Sequence, residues 1–238
     1  MSARGDKTRD HLLDTAERLF AQRGIAGVSL REVRIASGAR NTAAIQFHFG
    51  DREGLYQALM ERHLPRIASI QQRLFDDVLE QKGTRDARAL VEVLVRPTND
   101  YLAIGPSERA WVQIMGSMAS LPDLHLKEMV SAAPDAGVRT GALLYRELTR
   151  EMPETLARER LIMLAQTSVH LTADHARLLE DPITSRRHLN AEAFVVNLVD
   201  MLTAALFATA TVTAPRNGAK PRPAAKARRA KKATTKTA

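Results

Sequence analysis

Between Gly38 and Arg52 the chain sets Arg40, Asn41, Thr42, Gln46, His48 and Arg52 around a short run of small and apolar residues. These side chains suit the reading and holding of a polyanion. Arg pairs with the acceptor edge of guanine and Asn or Gln with adenine, each good pair being worth roughly 1–3 kcal/mol of discrimination. Ser29, His48 and Arg52 suit phosphate oxygens, contacts that fix position without carrying sequence information. Ala43 and Ala44 permit close approach and suit the methyl of thymine. Plainer readings stand beside these: a solvated charge for Arg40 and Arg52, a helix cap for Thr42, a structural histidine for His48.

Catalytic chemistry finds little support. No cysteine occurs, which excludes disulfides, zinc ribbons, iron–sulfur clusters and thiol nucleophiles. His170 and His175 are five residues apart, off the i, i+4 face that helical metal pairs use, and no third ligand is evident. There is no phosphate-cradling glycine loop and no nucleophile elbow. Asp76-Asp77 and Glu180-Asp181 read as solvated helix ends. The expectation is a protein without enzymatic activity, metal or cofactor.

The elements that must position the polar set are helices. Leu12, Leu13, Ala16, Leu19 and Phe20 form one apolar stripe over Lys7 to Gln22, and Gly24 and Gly27 end it. Ser29 and Glu32 form a capping box that starts a helix at Leu30 to Ala36. Gly38 supplies a tight turn, and a second short helix is expected from Arg40 to His48, capped near Asn41 or Thr42. Two short helices separated by a glycine turn fit a helix-turn-helix. A long helix follows from Arg52 to about Gln81, with Pro65 expected to kink or interrupt it. Further helices are expected near 85–103, 107–120, 124–131, 135–151, 154–180 and 186–211.

At this point the residues match a family. Thr8, Leu12-Leu13, Ala16, Leu19-Phe20, Gly24, Val28-Ser29-Leu30, Val33, Gly38, Ile45 through Arg52 and Leu55 together resemble the TetR family of transcriptional regulators. There a Leu-Phe near the end of the first helix is followed by Gly, the second helix starts at Thr or Ser, and an aromatic-x-His-Phe-like sequence closes the third. The resemblance covers about the first quarter of the chain. Three departures stand out. Arg34 replaces the usual Ala, the segment Gly38 to His48 is one residue longer than the common pattern, and Phe47 occupies the usual Tyr place. Phe47 therefore lacks the hydroxyl that reaches a phosphate, and packing is the alternative for its ring.

The resemblance implies an all-α protein with a DNA-binding domain over 6–52, its helix-turn-helix proper at about 29–48. A helical effector-binding and dimerisation domain over 53–212 follows. The implied function is a ligand-responsive repressor that binds an inverted repeat in double-stranded DNA as a homodimer. Leu161, Leu164, Ala165, Ser168 and Val169 form one apolar stripe near the C-terminus. Phe194, Val195, Leu198, Val199, Leu202, Ala205 and Leu206 form another. The family implies a four-helix dimer bundle from these two helices; burial within one protomer is the alternative. Met60, Tyr101, Trp111, Met115, Met118, Tyr145, Met163 and His170 are candidates to line a pocket for a small apolar or amphipathic effector, with plain core as the alternative.

Composition bounds the rest. Hydrophobic residues at 45% and charged residues at 26% are globular values, and only 4% aromatics with few β-branched runs argue against extended sheet. The formal net charge of +8 belongs to the C-terminus: Thr213 to Ala238 holds nine of the 35 basic residues and no acid, leaving 26 basic against 27 acidic residues in the body. High basicity is therefore no evidence that the folded part binds nucleic acid. The low-complexity Ala/Lys/Arg/Pro segment over 213–238 is expected to be disordered. It suits sequence-independent phosphate contacts, which makes a non-specific architectural DNA-binding protein the competing reading. The polar start of the chain and the charges that break the apolar run Ala191 to Val212 give the expectation of a cytoplasmic protein without a membrane span.

Overall fold

In the computed structural model, residues 3–39, 41, 43–81, 85–120, 135–180 and 189–211 are described. The expected helix at 124–131, the first residues of the one at 186–211 and the basic tail lie outside them, as do Arg40 and Thr42. Among the described residues there are helices and no strands, in the order α1 (Ala3–Arg23), α2 (Leu30–Ala36), α3 (Ala44–Phe49), α4 (Arg52–Gln81), α5 (Ala87–Leu102), α6 (Pro106–Ala119), α7 (Asp135–Leu148), α8 (Glu154–Glu180) and α9 (Ala191–Phe207). No described helix is long and apolar enough to cross a membrane.

Local chemistry accounts for the ends. Gly24, Gly38 and Gly50 follow α1, α2 and α3 with φ of 72°, 67° and 76°, the left-handed region where a side chain is strained. The Ser29–Glu32 capping box forms as expected: the Glu32 amide donates to Ser29 Oγ at 3.2 Å, and the Ser29 amide donates to Glu32 Oε2 at 2.8 Å. Asp86 and Asn190 cap α5 and α9 by accepting from the amides of Ala89 and Ala193.

Two expectations are corrected. Pro65 neither ends nor divides α4, which runs unbroken for 30 residues. The proline sits on the exposed face, where the carbonyl it leaves without a donor can turn to water. The second concerns α3, which starts at Ala44 and not at Arg40. Asn41 Oδ1 accepts from the Ala43 amide at 2.9 Å, and the Asn41 carbonyl from Ala44 N at 3.2 Å. This Asx turn competes with helix for the same backbone donors and delays the helix start.

Two apolar clusters hold the helices together, and they do not follow chain order. The first joins Leu12, Leu13, Phe20, Val33, Ile45 and Phe49 of α1–α3 to Leu55, Leu59 and Ile67 of α4, then to Tyr101, Trp111, Ile114 and Ala173. The second joins the C-terminal half of α4 through Phe75 and Val78 to Leu90, Val93, Leu144, Leu148, Leu164, Val195, Leu198 and Leu202. Helices α1–α3 thus share one apolar core with α4 and α6. α9 is fastened to α5 by the Arg96 guanidinium, which donates through both terminal nitrogens to Glu192 at 2.8 Å each.

Candidate nucleic-acid interface

The short α3 is positioned by what it buries. Ala44, Ile45 and Phe49 are in the first cluster, anchored beneath by α1 and α2. The positions left outside are Ala43, Gln46 and Phe47, spaced i, i+3, i+4 on one face, with Asn41 exposed just before them. Phe47 is 76% exposed and so is not packed. His48 is half-buried, its ring edge-on to Phe47 with centroids 5.0 Å apart, and its Nδ1 is buried with no hydrogen-bond partner.

Two contacts secure the turn preceding α3, and a third holds the α1–α2 connection. His11 Nε2 lies 3.1 Å from the Ser37 carbonyl, and Arg34 Nη1 donates to the Ala39 carbonyl at 3.3 Å. Arg34, the departure from the family pattern, therefore holds the helix-turn-helix turn itself. Arg23 donates from Nη2 to Glu32 Oε1 and to the Gly27 carbonyl, 2.7 Å in each case. Glu32 consequently titrates at about 2 instead of its ordinary 4.5, through the Ser29 amide first, then Arg23 and the Ser29 hydroxyl.

The candidate phosphate contacts fall into different situations. Ser29 is exposed at the head of α2 with its hydroxyl donating to Glu32 Oε2 at 2.8 Å. Arg52 is turned inward: its guanidinium donates to the Ile25 carbonyl, to the Val28 carbonyl at 2.8 Å and to the Tyr56 hydroxyl at 2.5 Å. These contacts engage the guanidinium within the protein. Its donors tie the start of α4 to the α1–α2 connection, whose carbonyls have no helical partner.

A buried polar junction not foreseen from the sequence joins α1 to α4, α5 and α6. Glu17 of α1 and His63 of α4, 4% and 2% exposed, approach at 2.9 Å between Oε2 and Nε2. Ser107 donates to Glu17 Oε1 at 2.5 Å, Arg62 Nη1 lies 3.3 Å from Oε2, and His63 Nδ1 lies 2.6 Å from the Tyr101 hydroxyl. The Trp111 ring stacks on His63 at 4.9 Å. Burial alone would raise the Glu17 carboxyl; hydrogen bonds from His63 and Ser107 and the charges of His63 and Arg62 outweigh it and hold the carboxyl below its ordinary range. Tyr101 is pushed up to about 12, first by burial and then by the nearby carboxylates of Glu108 and Glu17. One signal in the sequence was an acid, Glu17, directly beside the apolar stripe position Ala16.

The eight effector candidates do not share one cavity. Tyr101 and Trp111 belong to the junction, with Met60, Met115 and Met118 half-buried against the same cluster. Tyr145 packs on the second cluster, His170 is half-buried and Met163 is 62% exposed. Two of the cavities among the described residues bear on this. One of about 430 Å³ is bounded by Arg66, Ser69, Ile70, Arg73, Asp100 and Ile104. The other, of about 120 Å³, is bounded by Leu74, Asp77, Val78, Gln81, Ala89, Glu92 and Val93. None of the eight lines either. The interior also buries Gln71 Oε1, Asn99 Oδ1 and Trp111 Nε1 without partners.

The candidate dimer residues divide. Leu198, Val199, Leu202 and Leu206 are buried inside the protomer. Leu161, Ala165 and Phe194 are half-buried, Phe194 stacking on His175 at 3.9 Å. The faces that α8 and α9 turn outward carry Met163, Val196, Met201 and Ala205.

Comparison with known proteins finds a family match in the N-terminal part of the chain. Residues 12–59 match the family described as bacterial regulatory proteins, tetR family. The chain is 38% identical over 71 residues to the HTH-type transcriptional repressor AcnR of Corynebacterium glutamicum, covering 29% of this chain and 37% of that protein. It is 37% identical over 65 residues to the HTH-type transcriptional regulator AcrR of Shigella flexneri, covering 27% and 30%. The chain thus spans about a third of the length of these relatives. Salmonella enterica GusR superposes with a TM-score of 0.42 at 20% identity, over 84% of this chain and 95% of GusR.

Proposed function

We propose, from the premise that residues 12–59 are a TetR-family DNA-reading domain, that the chain is a sequence-specific transcriptional regulator. It binds an inverted-repeat operator as a homodimer and releases it in response to a small ligand. The observation that carries this reading is the division of α3: Ala44, Ile45 and Phe49 are anchored in a core built by α1, α2 and α4, while Ala43, Gln46 and Phe47 stand outward with Asn41. A rigid support with an unoccupied reading face suits insertion into the major groove.

One reading head reaches only a short stretch of duplex, and two heads on one face of DNA must stand ~34–36 Å apart. Support for pairing comes from the outward apolar residues of α8 and α9. Support for a ligand comes from Gln71 Oε1, Asn99 Oδ1 and Trp111 Nε1, because a buried polar atom without a partner costs about 1–3 kcal/mol. The buried Glu17–His63 junction is the route by which a change in the body reaches the head. A ligand that weakens operator binding 10- to 100-fold needs only ~1.4–2.8 kcal/mol of preference for the incompetent arrangement.

Selecting genomic fragments with the full chain in excess random competitor DNA, then sequencing them, tests the proposal. An inverted repeat should be enriched, and Gln46→Ala should weaken it by roughly 5- to 150-fold. Enrichment of no sequence, with binding lost on deletion of 213–238, overturns this reading in favour of an architectural protein.

A further inference from the structure

We propose that Phe47 is a sequence-reading residue whose ring packs on the 5-methyl group of a thymine in the major groove, so that each half-site carries one thymine the protein requires. The inference rests on the DNA-reading function above and narrows it to a particular base.

A single exposed apolar side chain is ordinary on a protein surface. Phe47 is distinguished by its place. It is 76% exposed on a helix whose other phenylalanine, Phe49, and whose Ile45 are both buried, so the core is complete without it. It shares its outward face with Gln46 and with Ala43, the residue just before α3. The ring is also steadied from below: His48 meets it at 83° with centroids 5.0 Å apart, an edge-to-face contact that holds the phenyl out from the helix.

The chemistry of the ring then selects its target. A phenyl group has no donor or acceptor, so it pairs with neither a base edge nor a phosphate oxygen. The major-groove edge of duplex DNA carries one apolar feature, the thymine methyl, and contact with it distinguishes thymine from cytosine at the same step. Next to it, Gln46 has an amide able to pair with adenine. The two adjacent side chains therefore favour a step rich in A·T pairs. The competing apolar surface is deoxyribose, which is identical at every nucleotide and carries no sequence information.

The test uses the full chain and the duplex it selects from the genome, with each thymine replaced in turn by deoxyuridine, which removes only the methyl. At one position in each half-site the replacement should weaken the wild type about 3- to 10-fold, the scale of one buried methyl group. Phe47→Ala should bind the parent duplex more weakly by a similar factor and lose its sensitivity to that methyl, whereas Gln46→Ala should keep it. Thermal melting of Phe47→Ala should match the wild type, because the side chain is exposed. A Phe47→Ala protein that still responds to the methyl overturns the proposal. So does a wild type indifferent to every replacement, and so does an equal weakening of selected and random duplexes, which is the deoxyribose outcome. Should the chain select no sequence at all, the DNA-reading function fails and this inference fails with it; a selected sequence without methyl dependence removes the inference alone.

Discussion

Arg52 donates to the carbonyls of Ile25 and Val28 and to the hydroxyl of Tyr56, and this makes it a structural clamp near α3. Removing it leaves two carbonyls of the α1–α2 connection without their charged donor. Arg52→Ala should lower stability by roughly 1–3 kcal/mol, a fall of about 2–4 °C in melting temperature per kcal/mol for a chain of this size. Arg52→Lys should recover little of it, since one ammonium cannot span the fork of contacts that a guanidinium makes. Thermal melting checks this, and a phosphate-binding role would give the opposite pattern: unchanged melting with a salt dependence of DNA binding reduced by about one charge. The same distinction applies to Gln46 and Phe47, whose exposed side chains should alter binding without altering melting.

At the scale of elements, α2 depends on its first turn. Ser29→Ala removes the acceptor for the Glu32 amide and should cost about 1 kcal/mol. Because Glu32 titrates near 2 when folded and at 4.5 ordinarily, its contribution is fully present above about 4.5 and is lost as pH falls toward 2. Glu32→Gln should therefore flatten acid unfolding over that interval, as followed by circular dichroism. α6 and α8 depend on a close approach. A Cβ built on Gly116 would stand 2.5 Å from the Cβ of Ala173, so Gly116→Ala should force the two helices apart and cost roughly 1–3 kcal/mol by the same melting measurement.

At the scale of the whole molecule, α1 and α4 are joined by a buried polar centre inside a shared apolar cluster. Glu17→Ala would leave His63, Ser107 and Arg62 facing an empty position, and breaking such a buried pair costs roughly 3–5 kcal/mol. Calorimetry should show a large drop in melting temperature, or separation into two transitions as the head loses its attachment. Since the Glu17 carboxyl is held below its ordinary value, this stabilisation is present at neutral pH and declines as pH falls through the acidic range. Pairing of two chains is tested by charge on the outward face of α9: Met201→Glu should shift the protein toward monomer in sedimentation and weaken inverted-repeat binding at least about 10-fold, because the two heads then bind independently.

Much of this was legible in the sequence because it rests on local chemistry. The stripe from Leu12 to Phe20, the capping box at Ser29 and Glu32, the bounds of α2 and the glycines that end three helices each follow from residues a few positions apart. Tertiary structure decided what distant residues do to one another. It turned Arg52 inward, since the carbonyls of Ile25 and Val28 reach it only in the folded head. It left Phe47 in solvent, since Ile45 and Phe49 already fill the space beneath. It placed Glu17 against His63, and it enclosed Leu198 and Leu202 within one protomer. The reason is physical: periodicity marks which face of a helix is apolar, but the partner that covers that face is fixed only when the chain closes on itself.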